Sequence, residues 1–234
     1  APGSWGCFTW NGAELVDGTR DSVVWARRAA SWVGAELTSN QEELLRGYAD
    51  WLRTEAIPAG GLGPREGERV WIRHLADSLL FAAGWRSQAP VEILDVGTGV
   101  GLPGIPLSIL WPATRVTLLD RGGRRVRLLH RIVRLLALPN VIIAQGDALA
   151  VADEWEGLVA RGALRAPEMV GLSARLLSPG GCTVLGLSRQ AAPPDRTRDL
   201  VGIAEAVGLE PELVEVPMEV LDAPAWLLIM RRSG

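Results

Sequence analysis

The residues best suited to chemistry form one glycine-rich run, residues 95–104 (DVGTGVGLPG), which begins with Asp95. An apolar segment of strand-forming residues, 91–96, leads into it, and a helix is predicted from about Pro103, because proline suits the first helical turn. Glycines let backbone amides approach a ligand beside a helix amino terminus, and this loop has them at Gly97, Gly99 and Gly101. The run predicts a ligand-binding loop between a strand and a helix.

An acid at the end of the next predicted strand, Arg115–Asp120, indicates the kind of ligand. Asp120 can accept hydrogen bonds from both ribose hydroxyls of an adenosine cofactor. A dinucleotide fingerprint, Gly99-x-Gly101-x-x-Gly104, is present, but it starts two residues too late after the strand. The register that follows the strand directly, Gly97-x-Gly99-x-Gly101 after Asp95, resembles the first motif of class I methyltransferases. We therefore predict S-adenosyl-L-methionine, with NAD as the rival cofactor.

Strand and helix patterns alternate along the rest of the chain, which predicts βαβ units and a mainly parallel sheet. Further strands are predicted at residues 141–144, 157–160, 182–187, 213–216 and 226–230. No helix separates the last two, so they are expected to form a hairpin at a sheet edge. Helices predicted at residues 21–36, 40–55 and 68–85 precede the sheet.

The predicted fold is therefore α/β, of the class I methyltransferase (Rossmann-like) type. It has a mainly parallel seven-stranded sheet with a C-terminal antiparallel hairpin strand, preceded by an N-terminal helical extension. We predict that residues 1–86 form the extension and residues 87–234 the S-adenosylmethionine-binding domain.

The composition argues against several other kinds of site. Two cysteines, Cys7 and Cys182, and two histidines, His74 and His130, are too few for a disulfide framework or a zinc centre, so no metal is expected. No apolar run approaches the ~20 residues of a membrane span, and no secretory signal is recognisable. We expect a cytoplasmic monomer without a membrane partner.

The distribution of basic residues is more informative than the net charge of −3. Every basic residue is an arginine, and six of them lie in residues 121–134 (RGGRRVRLLHRIVR) without an acid. Such a stripe can contact phosphates, although a solvated helix face explains it equally well. The candidate RNA contacts are Arg121, Arg124, Arg125 and, after the fifth predicted strand, Arg189.

Some methyl acceptors are disfavoured by missing residues. Cytosine-C5 enzymes need a cysteine nucleophile, but Cys182 lies within a predicted buried strand and Cys7 near the terminus. The Asn/Asp-Pro-Pro-aromatic motif of amino-methylating enzymes is missing from residues 159–163. The N7 atom of guanine already has an available lone pair, so its methylation requires mainly alignment and no general base.

Residues 44–232 resemble the RsmG (GidB) family of bacterial 16S ribosomal RNA guanine-N7 methyltransferases. The stretches that carry the resemblance are residues 70–80 (VWIRHLADSLL), 94–109 (LDVGTGVGLPGIPLSI), 116–129 (VTLLDRGGRRVRLL), 159–169 (VARGALRAPEM) and 176–187 (LLSPGGCTVLGL). Residues 61–66 (GLGPRE) resemble the actinobacterial branch. The resemblance implies that 16S ribosomal RNA or the small ribosomal subunit is the substrate and partner.

The resemblance also implies the cofactor contacts Gly97, Leu102, Ala148, Leu149 and Arg161. Asp147 is expected to accept a hydrogen bond from the adenine amino group or to cap a loop. We expect Arg161, after the fourth strand, to orient the substrate or the cofactor carboxylate; a surface salt bridge is the alternative. His74 and Asp77 match a family helix, and they either shape the active-site wall or, for His74, serve in packing.

The chain departs from the family pattern at three places. Ser188-Arg189 replaces Lys-Gly, Leu149 replaces an acid, and Trp155-Glu156-Gly157 replaces a Phe-Asp sequence. These changes spare the glycine loop and concern the substrate. They keep two alternatives open, a methyltransferase for a small metabolite and a non-catalytic paralogue that binds the cofactor or RNA.

Overall fold

The computed structural model describes residues 22–187 and 195–234, with the side chains of 195–198 left out. Its centre is a seven-stranded sheet of order β3-β2-β1-β4-β5-β7-β6. The strands are β1 (Glu92–Val96), β2 (Arg115–Asp120), β3 (Val141–Gln145), β4 (Trp155–Arg161), β5 (Leu177–Gly186), β6 (Leu209–Val216) and β7 (Ala225–Arg232). All neighbouring pairs are parallel except those made by β7, which runs antiparallel to β5 and β6. The predicted α/β fold with a C-terminal hairpin is confirmed.

Seven α-helical segments accompany the strands in the described part of the chain. They are α1 (Val24–Trp32), α2 (Ser39–Trp51), α3 (Asp77–Leu79), α4 (Gly104–Leu110), α5 (Gly123–Leu135), α6 (Ala166–Leu176) and α7 (Asp195–Ala206). A wider π-type turn, Leu52–Ala56, extends α2. The helix predicted at residues 68–85 is a mixture of turns: 3₁₀ at Gly67–Arg69, π-type at Val70–Ala76, α3, and 3₁₀ at Leu80–Trp85. No helix of the described residues is long and apolar enough to cross a membrane.

A capping box starts α2 and also ties it to the sheet domain. The Thr38 hydroxyl accepts a hydrogen bond from the Gln41 amide at 3.3 Å, and Gln41 Oε1 accepts one from the Thr38 amide at 2.8 Å. The remaining polar atom of this side chain, Gln41 Nε2, donates to the carbonyls of Ile109 and Leu110 at 2.9 and 3.0 Å. The N-terminal helices are thereby fixed against the end of α4, the helix that follows the glycine loop.

The central strand β4 is longer and more buried than its sequence suggested. Its predicted span was residues 157–160, whereas the strand covers Trp155–Arg161 and residues 157–160 are buried. The segment 178–181 (SPGG), predicted as a turn, lies within β5, and the register between the two strands shifts between Trp155 and Gly157. Leu177 pairs with Trp155 and Cys182 with Gly157, so residues 178–181 have no strand-pairing partners in β4 and form an irregular insertion within β5, in keeping with their proline and glycines.

Candidate functional site

The carboxyl ends of the parallel strands meet at a cleft of about 670 Å³. The strand order reverses between β1 and β4, and open α/β sheets bind ligands at such a switch point. Seven of the predicted cofactor residues line the cleft: Gly97, Gly99, Leu102, Asp120, Asp147, Ala148 and Arg161. Asp95, Gly101 and Leu149 do not contribute to its lining.

Asp95 lies beneath the glycine loop and organises it. Its Oδ2 atom accepts hydrogen bonds from the Thr98 hydroxyl at 2.6 Å and from the Gly104 amide at 2.7 Å. Oδ1 is buried without a hydrogen-bond partner. Burial raises the pKa of this carboxyl to about 7, although the hydrogen bonds from Thr98 and Gly104 act to lower it. The side chain thus joins the start of the loop to the start of α4.

Two cleft-lining glycines of the glycine loop have a backbone conformation that other residues rarely adopt. Gly97 and Gly99 both have φ of +65°. A Cβ atom at Gly97 would also lie 2.4 Å from the Cβ of Ala163, whereas one at Gly99 would meet nothing within 4 Å. The loop therefore needs Gly97 for conformation and for space, and Gly99 for conformation only.

A tyrosine from α2 supports the loop from the side away from the sheet. The buried Tyr48 hydroxyl donates to the Val100 carbonyl at 2.9 Å, and a Cβ at Gly101 would lie 3.0 Å from that oxygen. Gly101, with φ of +106°, therefore serves the packing of the loop against α2 and α4. Tyr48 was missed at the sequence level; it is the one tyrosine of the chain, but 52 residues separate it from Val100 and no local pattern connects them.

Asp120 is held at the cleft by backbone amides. Its Oδ2 accepts a hydrogen bond from the Gly99 amide at 3.0 Å, and its Oδ1 accepts one from the Gly122 amide at 2.7 Å. The Arg125 guanidinium lies 3.4 Å from Oδ2. Since a carboxylate offers about four acceptor positions and these contacts use three, Asp120 keeps capacity for one ribose hydroxyl while it is fixed in place.

The loop after β3 contributes a capped turn. Asp147 Oδ1 accepts a hydrogen bond from the Leu149 amide at 2.9 Å, so this side chain caps the turn and lines the cleft at the same time. Ala148 lines the cleft, whereas the Leu149 side chain is 59% exposed. Among the candidate RNA contacts, Arg121 and Arg125 line the cleft and Arg124 is exposed on α5. Arg189 lies outside the described residues.

A second cavity of about 390 Å³ adjoins the cleft and shares Arg161 with it. Arg161 Nη1 donates to Asp77 Oδ2 at 2.9 Å and to the Arg73 carbonyl at 3.1 Å. Its Nη2 lies 3.4 Å from His74 Nδ1. Arg161 therefore makes a partly buried salt bridge, whereas the alternative predicted from the sequence was one at the surface, and it also lines both cavities. The helical segment before β1 thus fixes the side chain at the end of β4.

The protonation state of His74 follows from its two neighbours. A guanidinium only donates hydrogen bonds, so Nδ1 must accept from Arg161 and the proton of the neutral ring lies on Nε2. Nε2 then donates to Glu66 Oε2 at 3.0 Å. Burial, together with the charge of Arg161, lowers the pKa of His74 to about 4. The residues Glu66, His74 and Arg161 form a chain of contacts in which only the histidine is uncharged. Glu66 received no role from the sequence, where it is simply one acid in a polar segment.

The residues of the cleft fit S-adenosyl-L-methionine. The positive-φ glycines leave backbone amides accessible, the Asp120 carboxylate stands at the end of β2, and Asp147 lies beyond β3. These groups suit the methionine, ribose and adenine parts of that cofactor respectively. The glycine register of the loop follows β1 directly, as in class I methyltransferases. A pyrophosphate-binding dinucleotide loop would also start directly after the strand, whereas the dinucleotide fingerprint of this chain starts two residues later.

Solved structures share this fold. The chain matches precorrin-6y C5,15-methyltransferase from Geobacter metallireducens GS-15 with a TM-score of 0.53 and 18% identity, over 67% of this chain and 87% of that one. Fibrillarin from Aeropyrum pernix, in complex with S-adenosyl-L-methionine, matches with a TM-score of 0.51 and 22% identity, over 67% and 73%. At these identities the likeness establishes the class I methyltransferase fold.

Sequence relatives define the family. The family model GidB, rRNA small subunit methyltransferase G, matches residues 41–191. Ribosomal RNA small subunit methyltransferase G of Mycobacterium marinum is 32% identical over 196 residues, which cover 82% of this chain and 84% of the relative. The protein of the same name from Cellvibrio japonicus is 32% identical over 203 residues, 85% and 88% of the two chains. The glycine loop, Asp120 and Arg161 all fall within the matched region, and the chain belongs to the GidB family, that of rRNA small subunit methyltransferase G.

Proposed function

We propose that the chain transfers a methyl group from S-adenosyl-L-methionine, the cofactor of its family, to N7 of a guanine in 16S ribosomal RNA. The observation that carries the proposal is the pair of adjoining cavities that share Arg161. The larger one fits the cofactor, and the smaller one opens beside it at the carboxyl edge of the sheet. The names of the family and of its relatives supply the ribosomal substrate.

The groups around the second cavity suit an acceptor that needs no activation. Cys182 is buried in β5 and lines neither cavity, and burial raises the pKa of its thiol to about 12, so it does not serve as a nucleophile. His74 has both ring nitrogens engaged by charged neighbours. A guanine N7 lone pair requires neither group, which favours N7 over acceptors that need a thiol or a base.

Methylation of guanine at N7 requires no proton transfer. S-adenosyl-L-methionine supplies a methyl group made electrophilic by its sulfonium. The N7 lone pair forms the new bond to the methyl carbon while the carbon–sulfur bond breaks and its electron pair stays on sulfur. The positive charge passes to the purine, and no proton leaves. What the chain contributes is alignment: Asp120 and the loop amides position the cofactor, and Arg161 lies between the cofactor and the base.

An exposed basic surface leads from the cleft. We call it the arginine stripe: the six arginines of residues 121–134, all exposed, of which Arg121 and Arg125 line the cleft. Arg131 is paired with Glu55 at 2.7 Å and Arg125 with Asp120 at 3.4 Å. The stripe supports RNA as the substrate, because phosphate neutralisation supplies most of the affinity for a nucleic acid.

The proposal is tested by methyl transfer to RNA. Small ribosomal subunits from a strain that lacks the gene are incubated with the protein and labelled cofactor, and the digested 16S RNA is analysed by mass spectrometry. We expect one 7-methylguanosine per RNA, and none with Asp120→Asn at limiting cofactor. Binding of S-adenosylhomocysteine without any methylation of RNA would contradict the proposal and favour a small metabolite or a non-catalytic role.

The location and the oligomeric state follow from this function. Since assembled ribosomal subunits are cytoplasmic, we expect the protein there. We also expect a monomer, and sedimentation at equilibrium measures this.

A further inference from the structure

The second cavity has the size and lining of a pocket for a single base. It is enclosed by the 66–81 segment on one side and by the ends of β4, β5 and β7 on the other. Two aromatic residues, Phe81 and Trp226, contribute to its walls, and a Cβ at Gly186 would lie 2.7 Å from the Phe81 ring. Enzymes that modify a nucleobase take it out of its stack into such a pocket and pack it against aromatic or apolar side chains.

Four charged residues line this pocket, Glu66, Arg73, Asp77 and Arg161, and of these only Arg161 also lines the cofactor cleft. Asp77 is paired with Arg161 at 2.9 Å, His74 contacts Arg161, and Glu66 lies on the far side of the histidine ring. Arg161, a donor that cannot accept, thus stands at the cofactor cleft with its partner Asp77 engaged by it, and Glu66, an acceptor that cannot donate, stands farther away. Glu66 keeps acceptor capacity beyond its contact with His74, because a carboxylate accepts about four hydrogen bonds.

Guanine carries complementary groups in the same order. When its N7 points to the cofactor, the neighbouring O6 acceptor lies at the boundary, and the N1–H and N2 amino donors lie on the opposite side of the ring. We propose that the second cavity binds the target guanine, with Arg161 donating to O6 and Glu66 accepting from the N1–H and N2 amino groups. This inference rests on the proposed function and assigns residues to the recognition of its substrate.

The same arrangement explains discrimination between bases. Adenine presents an acceptor at N1, which would face the Glu66 carboxylate, and an amino donor at the position of O6, which would face Arg161. Uracil and cytosine are smaller and lack two adjacent donors on one edge. A site that leaves buried polar groups unpaired with the wrong base rejects it strongly.

A carboxylate at this position also favours the reaction itself. Methylation at N7 moves a positive charge onto the purine, and the ring donors become stronger as it develops. The Glu66 carboxylate therefore interacts more strongly with the transition state than with the neutral base, which raises kcat and not only affinity. Glu66→Gln keeps the shape and an acceptor but removes the charge.

The test combines this variant with a change in the base. The nucleotide methylated by the wild-type protein is first mapped by mass spectrometry. Small subunits are then reconstituted with ligated 16S RNA that carries inosine, which lacks the N2 amino group, at that position. The values of kcat and KM are measured for wild-type and Glu66→Gln protein on both substrates, and Glu68→Gln, an exposed acid two residues away, is the matched control.

We expect Glu66→Gln to lower kcat/KM on guanine by about ten- to hundredfold, mainly through kcat, as for a charged hydrogen bond. Inosine should lower the wild-type rate about tenfold but the rate of the variant less than threefold. Glu68→Gln and the affinity for S-adenosylhomocysteine should stay within twofold of wild type.

Three results would overturn the inference. If inosine lowers the rates of the wild-type and Glu66→Gln proteins by the same factor, Glu66 does not contact the base. This conclusion holds even if the variant is partly unfolded, because a structural defect lowers its rates on guanine and on inosine equally. A Glu66→Gln rate within threefold of wild type would mean the same. If the wild-type protein methylates no guanine at all, the proposed function fails and this inference fails with it.

Discussion

The burial of the Asp95 carboxyl beneath the glycine loop should make the free energy of unfolding depend on pH. Burial raises the pKa of its carboxyl from 3.8 to about 7. The folded protein therefore retains a proton on Asp95 between pH 4 and 7, where the unfolded chain has released it. Because the folded state then binds more protons, the contribution of Asp95 to stability falls as the pH rises to 7 and is constant above that.

The size of the effect follows from the shift. Each pKa unit corresponds to about 1.4 kcal/mol, so the two units between pH 5 and pH 7 amount to roughly 3 kcal/mol. Asp95→Asn removes the titration and keeps a carbonyl that can accept from Thr98 and Gly104, the two donors that Asp95 Oδ2 now serves. Relative to wild type, the variant should therefore gain roughly 3 kcal/mol of unfolding free energy between pH 5 and pH 8.

Urea denaturation at pH 5, 6, 7 and 8 measures the difference, with the wild type and the variant compared at each pH. His74 of the unfolded chain also titrates in this range, but both proteins contain it, so its contribution cancels in the comparison. Asp153→Asn, a change at an exposed acid, controls for the loss of a charge and should give a constant difference. If the Asp95→Asn and wild-type stabilities change in parallel with pH, the carboxyl is not protonated in the folded protein and the reasoning is refuted.

Two further predictions concern the cleft and the arginine stripe. Gly97→Ala should lower the affinity for S-adenosylhomocysteine at least tenfold, as measured by calorimetry, because the alanine would have a positive φ and its Cβ would lie 2.4 Å from Ala163. Gly99→Ala has the same φ but open space around its Cβ, so it should lower the affinity less. Equal losses of affinity in the two variants would show that the structure relieves the contact with Ala163 without cost, and would contradict the prediction. Arg124→Gln combined with Arg127→Gln should reduce the slope of log affinity against log salt for 16S RNA by about one to two. The control Arg115→Gln, at the amino-terminal end of β2, should leave the slope unchanged. An unchanged slope in the double variant would place the RNA elsewhere.

The parts of the fold that the sequence predicted are those with a local cause. The glycine loop, the acid at the end of β2 and the alternation of elements each depend on neighbouring residues and on a period of two or of about 3.6. The π-type and 3₁₀ turns of residues 67–85 escaped the same reasoning, because an amphipathic pattern does not distinguish them from an α-helix. Likewise, the proline and glycines of residues 178–181 predict a turn, and β5 begins before them only because Leu177 pairs with Trp155 on β4.

The contacts around Arg161 show why the second cavity was not foreseen. Its partners Asp77 and His74 lie 84 and 87 residues earlier in the chain. The matching of these residues to a family helix suggested an active-site wall, but not that the helix fixes the arginine of β4 or that Glu66 completes the chain of contacts. Such contacts depend on how the N-terminal helices dock on the sheet, which rests on an apolar core that the helices and strands share and on hydrogen bonds such as that between Tyr48 and Val100.

Two of the three departures from the family pattern lie in the part of the chain that the structure describes, and neither lines a cavity. Leu149 replaces an acid, but its side chain is exposed outside the cleft lining, and its amide is the group that Asp147 engages. Gly157 lies at the start of β4, away from the cleft, where a Cβ would be 2.6 Å from Ile93 and 2.7 Å from Trp85, so packing accounts for this residue. Ser188 and Arg189 lie outside the described residues. Neither of the other two departures changes the lining of the cofactor cleft or of the second cavity, so they do not account for a change of substrate within the family.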